Sequence, residues 1–176
     1  MEASGSWELS PGEWAVLGAV AEGPTHGFAV AQLLAPSGDL GRVWTVPRNA
    51  VYQVLKKLVQ LGLIAERSTE PSDRGPVRTI VVVSPAGRRA LRRWLEEPVD
   101  HVRDVRSMLL LKLVLLDRSR RTWGPLVEAQ RHRVIAQMER LNEDRAAAVG
   151  FERVILEWRA SSSRATVEFL EAISER

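Results

Sequence analysis

Arg48-Asn49-Ala50-Val51-Tyr52-Gln53-Val54-Leu55-Lys56-Lys57-Leu58-Val59-Gln60 is the stretch on which the fold turns. Val51, Val54, Leu55, Leu58 and the following Leu61 recur at helical spacing and form one apolar stripe. The rest of the surface presents Arg48, Asn49, Tyr52, Gln53, Lys56, Lys57 and Gln60, with no acid among them. Asn, Gln and Arg side chains hydrogen-bond base edges, while Lys and Tyr suit phosphates. An ordinary solvated helix mixes both signs of charge, so this face points to an anionic partner. Tyr52 is the member that half-buried packing would explain equally well. The pattern predicts a helix from about Val46 to Gln60, capped by Thr45 and closed by Gly62.

Two shorter helices precede it. Ser10-Pro11-Gly12-Glu13 combines a capping residue, a proline suited to the first turn and the acid of a capping box. Trp14, Leu17, Val20 and Ala21 follow at helical spacing until Gly23-Pro24. Thr25 is the expected cap of a second helix with Phe28, Ala31 and Leu34 on one buried face, stopped by Pro36. A loop rich in small residues then leads to Val43 and Trp44.

Downstream of Gly62 the period becomes strand-like. Leu63–Ser68 and Arg78–Val83 are the expected strands, the second rich in β-branched residues. Thr69 to Pro76 reads as the polar turn between them. Ser84-Pro85-Ala86-Gly87 restarts a helix with Ala90, Leu91, Trp94 and Leu95 on its apolar face, ended by Pro98. Helix, helix, helix, hairpin, helix is the order of a winged helix-turn-helix.

Beyond Pro98 every pattern is helical. Asp104–Leu116 is apolar around most of its circumference, which predicts one helix buried on several sides. From Pro125 to Ala148 a heptad-like seam runs through Val127, Arg131, Val134, Met138, Leu141 and Arg145. A last helix holds Phe151, Val154, Ile155, Trp158, Val167, Phe169, Leu170 and Ile173. The two together offer more apolar surface than a short hairpin covers within itself. The expectation is a dimer interface using Val127, Val134, Met138, Leu141, Phe151, Trp158 and Phe169. The reading is thus a mainly α protein with a small β-hairpin: a DNA-binding winged helix-turn-helix over residues 1–97 and a helical dimerisation domain over 98–176.

Charge is segregated in the same way. Of the 176 residues, 45% are hydrophobic and 27% charged, with a net charge of +3. Residues 1–41 hold five acids and no Lys or Arg, whereas 42–93 hold eleven bases against three acids. Residues 94–176 are neutral overall. The Arg-over-Lys preference fits codon bias, but bias does not decide where the charge lies. In the hairpin, Arg74 at the tip and Arg78 at the base of the second strand are placed to reach phosphates, with an ion pair from Arg74 to Asp73 or Glu70 as the alternative. Thr25 and His26, opening the second helix, are further candidates for a phosphate contact through exposed amides.

These segments also carry a resemblance. Leu17-Gly18-Ala19-Val20-Ala21-Glu22-Gly23-Pro24-Thr25-His26-Gly27-Phe28 resembles the opening of the PadR family of transcriptional regulators. Asn49 to Leu58, followed by Leu61-Gly62-Leu63-Ile64, is similar to that family's recognition helix and the start of its wing. Arg74-Gly75-Pro76-Val77-Arg78 and Ser84 to Leu91 match its wing and the helix after it. Ile80 and Val81 stand where the family usually has an aromatic pair. The resemblance spans about residues 9–97, and the remainder is similar to the longer, multi-helix type. It implies a repressor-like homodimer on operator DNA, released by a small-molecule effector.

Other classes are poorly served. With no cysteine, disulfides and thiolate metal sites are excluded. His26, His101 and His132 have no metal-type spacing, and no nucleophile-elbow, phosphate-loop or dinucleotide-binding glycine pattern occurs. The expectation is therefore no catalytic residues, no metal and no cofactor. No basic segment followed by an apolar stretch opens the chain. The longest apolar run, Met108 to Leu116, contains Lys112 and falls short of the roughly 20 residues a bilayer requires. The expected location is the cytoplasm, with no membrane partner. The competing reading keeps the fold and makes the chain a helical protein-interaction scaffold with a vestigial DNA module.

Overall fold

The computed structural model describes residues 7–72 and 75–174. The chain divides into two compact units, one of residues 1–95 with 110–121 and the other of 96–109 with 122–176.

The first unit begins with α1 (Pro11–Ala21), whose start is the expected capping box. The Ser10 N–H donates to Glu13 at 2.8 Å, and the Glu13 N–H donates to the Ser10 hydroxyl at 3.3 Å. Thr25 does not cap the next helix. Thr25–His26 instead forms a two-residue strand, β1, because the Gly23-Pro24 turn delivers the chain in extended form beside the wing. The cap of α2 (Gly27–Leu33) falls to His26, whose Nδ1 accepts from the Ala29 N–H at 3.2 Å.

The decisive helix, α3, spans Arg48–Gln60. It starts two residues later than the spacing predicts, since a residue before proline is pushed out of the helical region and Val46 precedes Pro47. Thr45 accordingly donates its hydroxyl to the Gly41 carbonyl at 2.9 Å and caps nothing. Gly62 closes the helix at φ +69, a left-handed conformation that a side chain resists. There the Leu63 N–H returns to the Leu58 carbonyl at 2.9 Å.

The hairpin is longer than its sequence suggests. β2 (Ile64–Ser72) and β3 (Gly75–Val83) pair antiparallel almost to the tip, in a three-stranded sheet ordered β1-β3-β2. Most of Thr69 to Pro76 is therefore strand and not turn. Pro71 is tolerated because β2 is an edge strand and the register shifts between Glu70 and Ser72, where a missing donor costs little. α4 (Pro85–Glu96) is capped by Ser84, which accepts from the Gly87 N–H at 3.0 Å.

The expected single helix from Asp104 to Leu116 is three pieces. Val102–Asp104 is a 3₁₀ turn, Val105–Leu109 a π turn, and α5 runs Leu110–Arg118. The unit boundary falls between the π turn and α5.

The core of the first unit is mostly aliphatic, with an aromatic stack within it. Leu17, Leu34, Leu40, Leu58, Leu63 and Ile64 are fully buried. Trp14 of α1 stacks on Trp94 of α4 with ring centroids 4.7 Å apart. The ammonium of Lys112, only 3% exposed, lies 4.7 Å from the Trp94 ring, where the aromatic face stabilises the charge.

In the second unit, α6 (Gly124–Ala147) and α7 (Gly150–Ser174) form an antiparallel hairpin. Arg145 pairs with Glu157 at 3.2 Å near the turn, and Arg131 with Glu171 at 3.9 Å far from it. Gln130 of α6 clamps the backbone of Val99, accepting from its N–H at 2.7 Å and donating to its carbonyl at 3.0 Å. Both buried polar groups of that residue are thereby satisfied. No helix among the described residues is long and apolar enough to cross a membrane.

Candidate nucleic-acid interface

α3 buries Val51, Leu55 and Leu58 against the first unit, which turns the opposite face outward. Arg48, Asn49, Tyr52, Gln53, Lys56 and Lys57 are all exposed. A groove of about 810 Å³ runs between this helix and the wing, and it gathers His26, Phe28, Arg48, Tyr52, Lys56 and Arg78. Its floor is apolar, from Leu55, Val59 and Val81, with Val77 exposed at the wing side. Asn49 and Gln53 lie outside the groove, on the adjoining exposed face of α3.

The charges of this surface are unspent. Among the described residues Arg48, Lys56 and Arg78 make no ion pair. Among the described residues Glu66 is the one acid lining the groove. Lys57 differs: its ammonium sits 2.6 Å from Glu13 of α1. Burial works to raise the Glu13 carboxyl, but hydrogen bonds from Lys57 and from the Ser10 backbone prevail and hold it below its ordinary range. Lys57 thus ties α3 to α1 through a carboxylate. Arg74 lies outside the described residues.

Phe28 is the functional candidate that helical spacing misplaced. The second helix was expected to bury Phe28, Ala31 and Leu34 together; Ala31 and Leu34 are buried, but Phe28 is 43% exposed. It occupies the first turn of α2, past the edge of the core, and the Arg48 guanidinium lies 5.2 Å above its ring. Its rank in the His26-Gly27-Phe28 triplet was the available signal. Gly27 gives Tyr52 its room: a Cβ would fall 2.5 Å from Cε1 of Tyr52, so that ring would have to shift. The Tyr52 ring therefore lies directly over the α2 backbone, 45% exposed. His26 lends its Nδ1 to the cap, which leaves Nε2–H as the donor of its neutral ring. Thr25 is half-buried in β1, paired with Val81, and does not line the groove.

Residues 16–93 match the family model described as the transcriptional regulator PadR-like family. Over that span, less than half of the 176 residues, the chain is similar to the PadR-like family. It also resembles several solved structures. Bacillus subtilis PadR in complex with operator DNA is 20% identical, with 93% of this chain and 96% of that one aligned and a TM-score of 0.47. The same protein with p-coumaric acid is 20% identical over 93% of each chain, with a TM-score of 0.42. The smu.1604c protein of Streptococcus mutans is 17% identical over 94% of this chain and 99% of that one, at a TM-score of 0.44. No curated protein sequence matches the chain.

The expected dimerisation residues are distributed unevenly in the second unit. Val127 and Val134 are buried. Apolar surface already covered by this chain is not offered to another, so these two are corrected to core positions. Met138, Leu141 and Phe169 are half-buried. Phe151 and Trp158 are 75% and 73% exposed, and Val149 and Val154 are exposed with them. Phe151, Val154 and Trp158 recur at three- and four-residue spacing, which aligns them on one side of α7. The arginines that interrupt the seam are held within the hairpin by Glu157, Glu128 and Glu171.

Proposed function

We propose that this PadR-like chain is a homodimeric, sequence-specific regulator of transcription that represses by occupying duplex DNA. One observation carries the reading: an acid-free outer face on α3 beside a groove where Arg48, Lys56 and Arg78 have no carboxylate partner. In this reading α3 enters the major groove. Asn49, Gln53 and Arg48 read base edges, while Lys56, Arg78 and His26 meet phosphates on either side. Thr25 contributes through its backbone only. The exposed stripe Phe151, Val154 and Trp158 supports a two-fold pairing, with Met138, Leu141 and Phe169 at its margin. Two copies double the readout, which a single winged module needs against competing genomic sites. Release by a small molecule is part of the same reading, as is residence in the cytoplasm beside the DNA.

Fluorescence anisotropy with the chain's own promoter region tests the whole. Saturable binding should survive excess random duplex, and its affinity should fall steeply with salt. Competition by random duplex at equal concentration would overturn sequence specificity. The scaffold alternative draws on the same α7 stripe; it is favoured if no duplex binds while the purified chain still self-associates.

A further inference from the structure

The groove beside α3 is basic, yet it also exposes apolar groups. Phe28, Tyr52 and Val77 are all exposed along it, above a floor of Leu55, Val59 and Val81. Phosphate oxygens gain nothing from such groups, and a surface for backbone contact alone is better served by polar side chains. Inside a DNA major groove one kind of apolar group is on offer, the methyl at C5 of a pyrimidine. Thymine carries it, and 5-methylcytosine carries the same group at the same place.

Phe28 is held by two neighbours. Its ring centroid lies 6.5 Å from that of His26, with the planes inclined by 20°. His26 is itself fixed by the Ala29 N–H on its Nδ1. Toward α3, the Arg48 guanidinium carbon lies 5.2 Å from the Phe28 centroid. This contact joins the second residue of α2 to the first residue of α3, so both partners stand on helices and not on a free loop. A cation–π contact restrains a guanidinium through its charge and takes none of its five N–H donors. An ion pair would take them, and Arg48 makes none among the described residues. Arg48 is thus oriented with its donors unspent. In that state its fork meets O6 and N7 of guanine with little further loss of freedom.

We propose that Phe28 and Arg48 together read a pyrimidine 5-methyl group stacked beside a guanine. This reader rests on the DNA-binding function proposed above and names what that surface selects. Arg48 takes the guanine edge. The neighbouring base on the strand lies about 3.4 Å along the axis. Its C5 substituent therefore meets the groups that flank the guanidinium, and Phe28 is the apolar one among them. A hydrogen at C5 leaves part of the ring in water, whereas a methyl covers it. The pair then separates thymine from uracil, and 5-methylcytosine from cytosine, where the hydrogen-bonding edges are the same. Arg48, Lys56 and Arg78 favour a duplex over an apolar peptide in this groove. A peptide would leave three cations facing Glu66, the one lining acid among the described residues.

Fluorescence anisotropy of the full chain tests this on duplexes that it selects from a randomised library. Selected sites should share a guanine with a thymine next to it on the same strand. Deoxyuridine in place of that thymine removes one methyl and leaves the base pair intact. Affinity should then fall about fourfold, the effect of one buried methyl. Cytosine at the same position should bind better by a similar factor once it is methylated at C5. F28A should bind the thymine and uracil duplexes equally, at the native chain's affinity for uracil; a misfolded variant would lose the uracil duplex as well. R48A should lose both preferences, that for guanine by roughly fivefold or more. On the native chain, 5-iododeoxyuridine at the thymine position should crosslink to Phe28 under ultraviolet light, which locates the contact without any substitution. Selected sites lacking such a step, uracil bound as tightly as thymine, an F28A chain that still discriminates, or an adduct found only on other residues would each overturn the reader and leave DNA binding intact. A chain that binds no duplex at all would remove the DNA-binding function and this reader together.

Discussion

The α3 surface and the α6–α7 hairpin are opposites in what they leave unused. In the first unit Leu17, Leu58 and Leu63 are fully buried and Trp14 and Trp94 are stacked, while Phe28, Tyr52 and Val77 stay exposed along the groove. Charge stays outside with them, Arg48, Lys56 and Arg78 making no ion pair among the described residues. In the hairpin Arg131, Arg133 and Arg145 all pair within the chain. What remains outside includes an apolar stripe, with Phe151, Val154 and Trp158 in water. Unspent charge is relieved by an anion, and unspent apolar surface by another apolar surface. In the proposed function these become two separate surfaces, one for DNA and one for a second copy.

The largest effect expected from breaking this division is at Trp158. In a two-fold interface W158E changes both copies, and an aromatic anchor contributes about 2–4 kcal/mol each time. Light scattering at micromolar concentration should give roughly twice 19.7 kDa for the native chain and 19.7 kDa for W158E, with helicity retained. A native mass of 19.7 kDa would remove the dimer from the reading. Next is base readout: R48A, N49A or Q53A should each cost about 1–3 kcal/mol on the operator and less on random duplex. Unchanged footprints in all three would break the assignment of α3.

Lys56 and Lys57, adjacent in sequence, sharpen the comparison further. K56A should weaken all duplexes equally and lower the salt slope by about one. K57A should leave that slope nearly intact and instead lower stability, because it strands the Glu13 carboxylate. The sign with pH follows from Glu13 itself. Its carboxyl is depressed in the folded state, so its contribution is present above the unfolded value near 4.5 and lost as pH falls through the lower folded one. E13Q should abolish that part of the acid sensitivity and cost about 1 kcal/mol at neutral pH; an unaltered acid midpoint would sever the α1–α3 tie. The smallest effect is R120G, a gain of roughly 1 kcal/mol from relieving the left-handed backbone of Arg120, at φ +54, read as a higher melting temperature.

Much of this was legible in the residues. Periodicity and the absence of acids identified α3, and local chemistry gave the Ser10 capping box, the Gly62 stop and the Ser84 cap. Local reading failed where the partner is distant in sequence. Thr25 looks like a cap until β3 arrives to pair with it. Phe28 fits the buried stripe of α2 until the core ends one turn short of it. Thr69 to Pro76 has turn composition, yet ladder bonding along β3 and a shifted register keep its described residues in strands. Val127 and Val134 read as a seam for another chain, and their own chain covers them.

The sequence by itself determined the order of elements, the basic face and the excess of apolar surface in the second half, because capping, periodicity and composition act within a few residues. Only the tertiary structure decided which charges are cancelled and which apolar groups are covered. Lys57 and Lys56 are indistinguishable until α1 brings Glu13 within 2.6 Å of one of them. Arg118, Arg88 and Arg92 are likewise alike in sequence. Folding places Glu22 and Asp39 against the first and leaves the other two facing an apolar hollow. Ion pairing and burial fall off over a few ångströms, and which residues come that close is settled by packing.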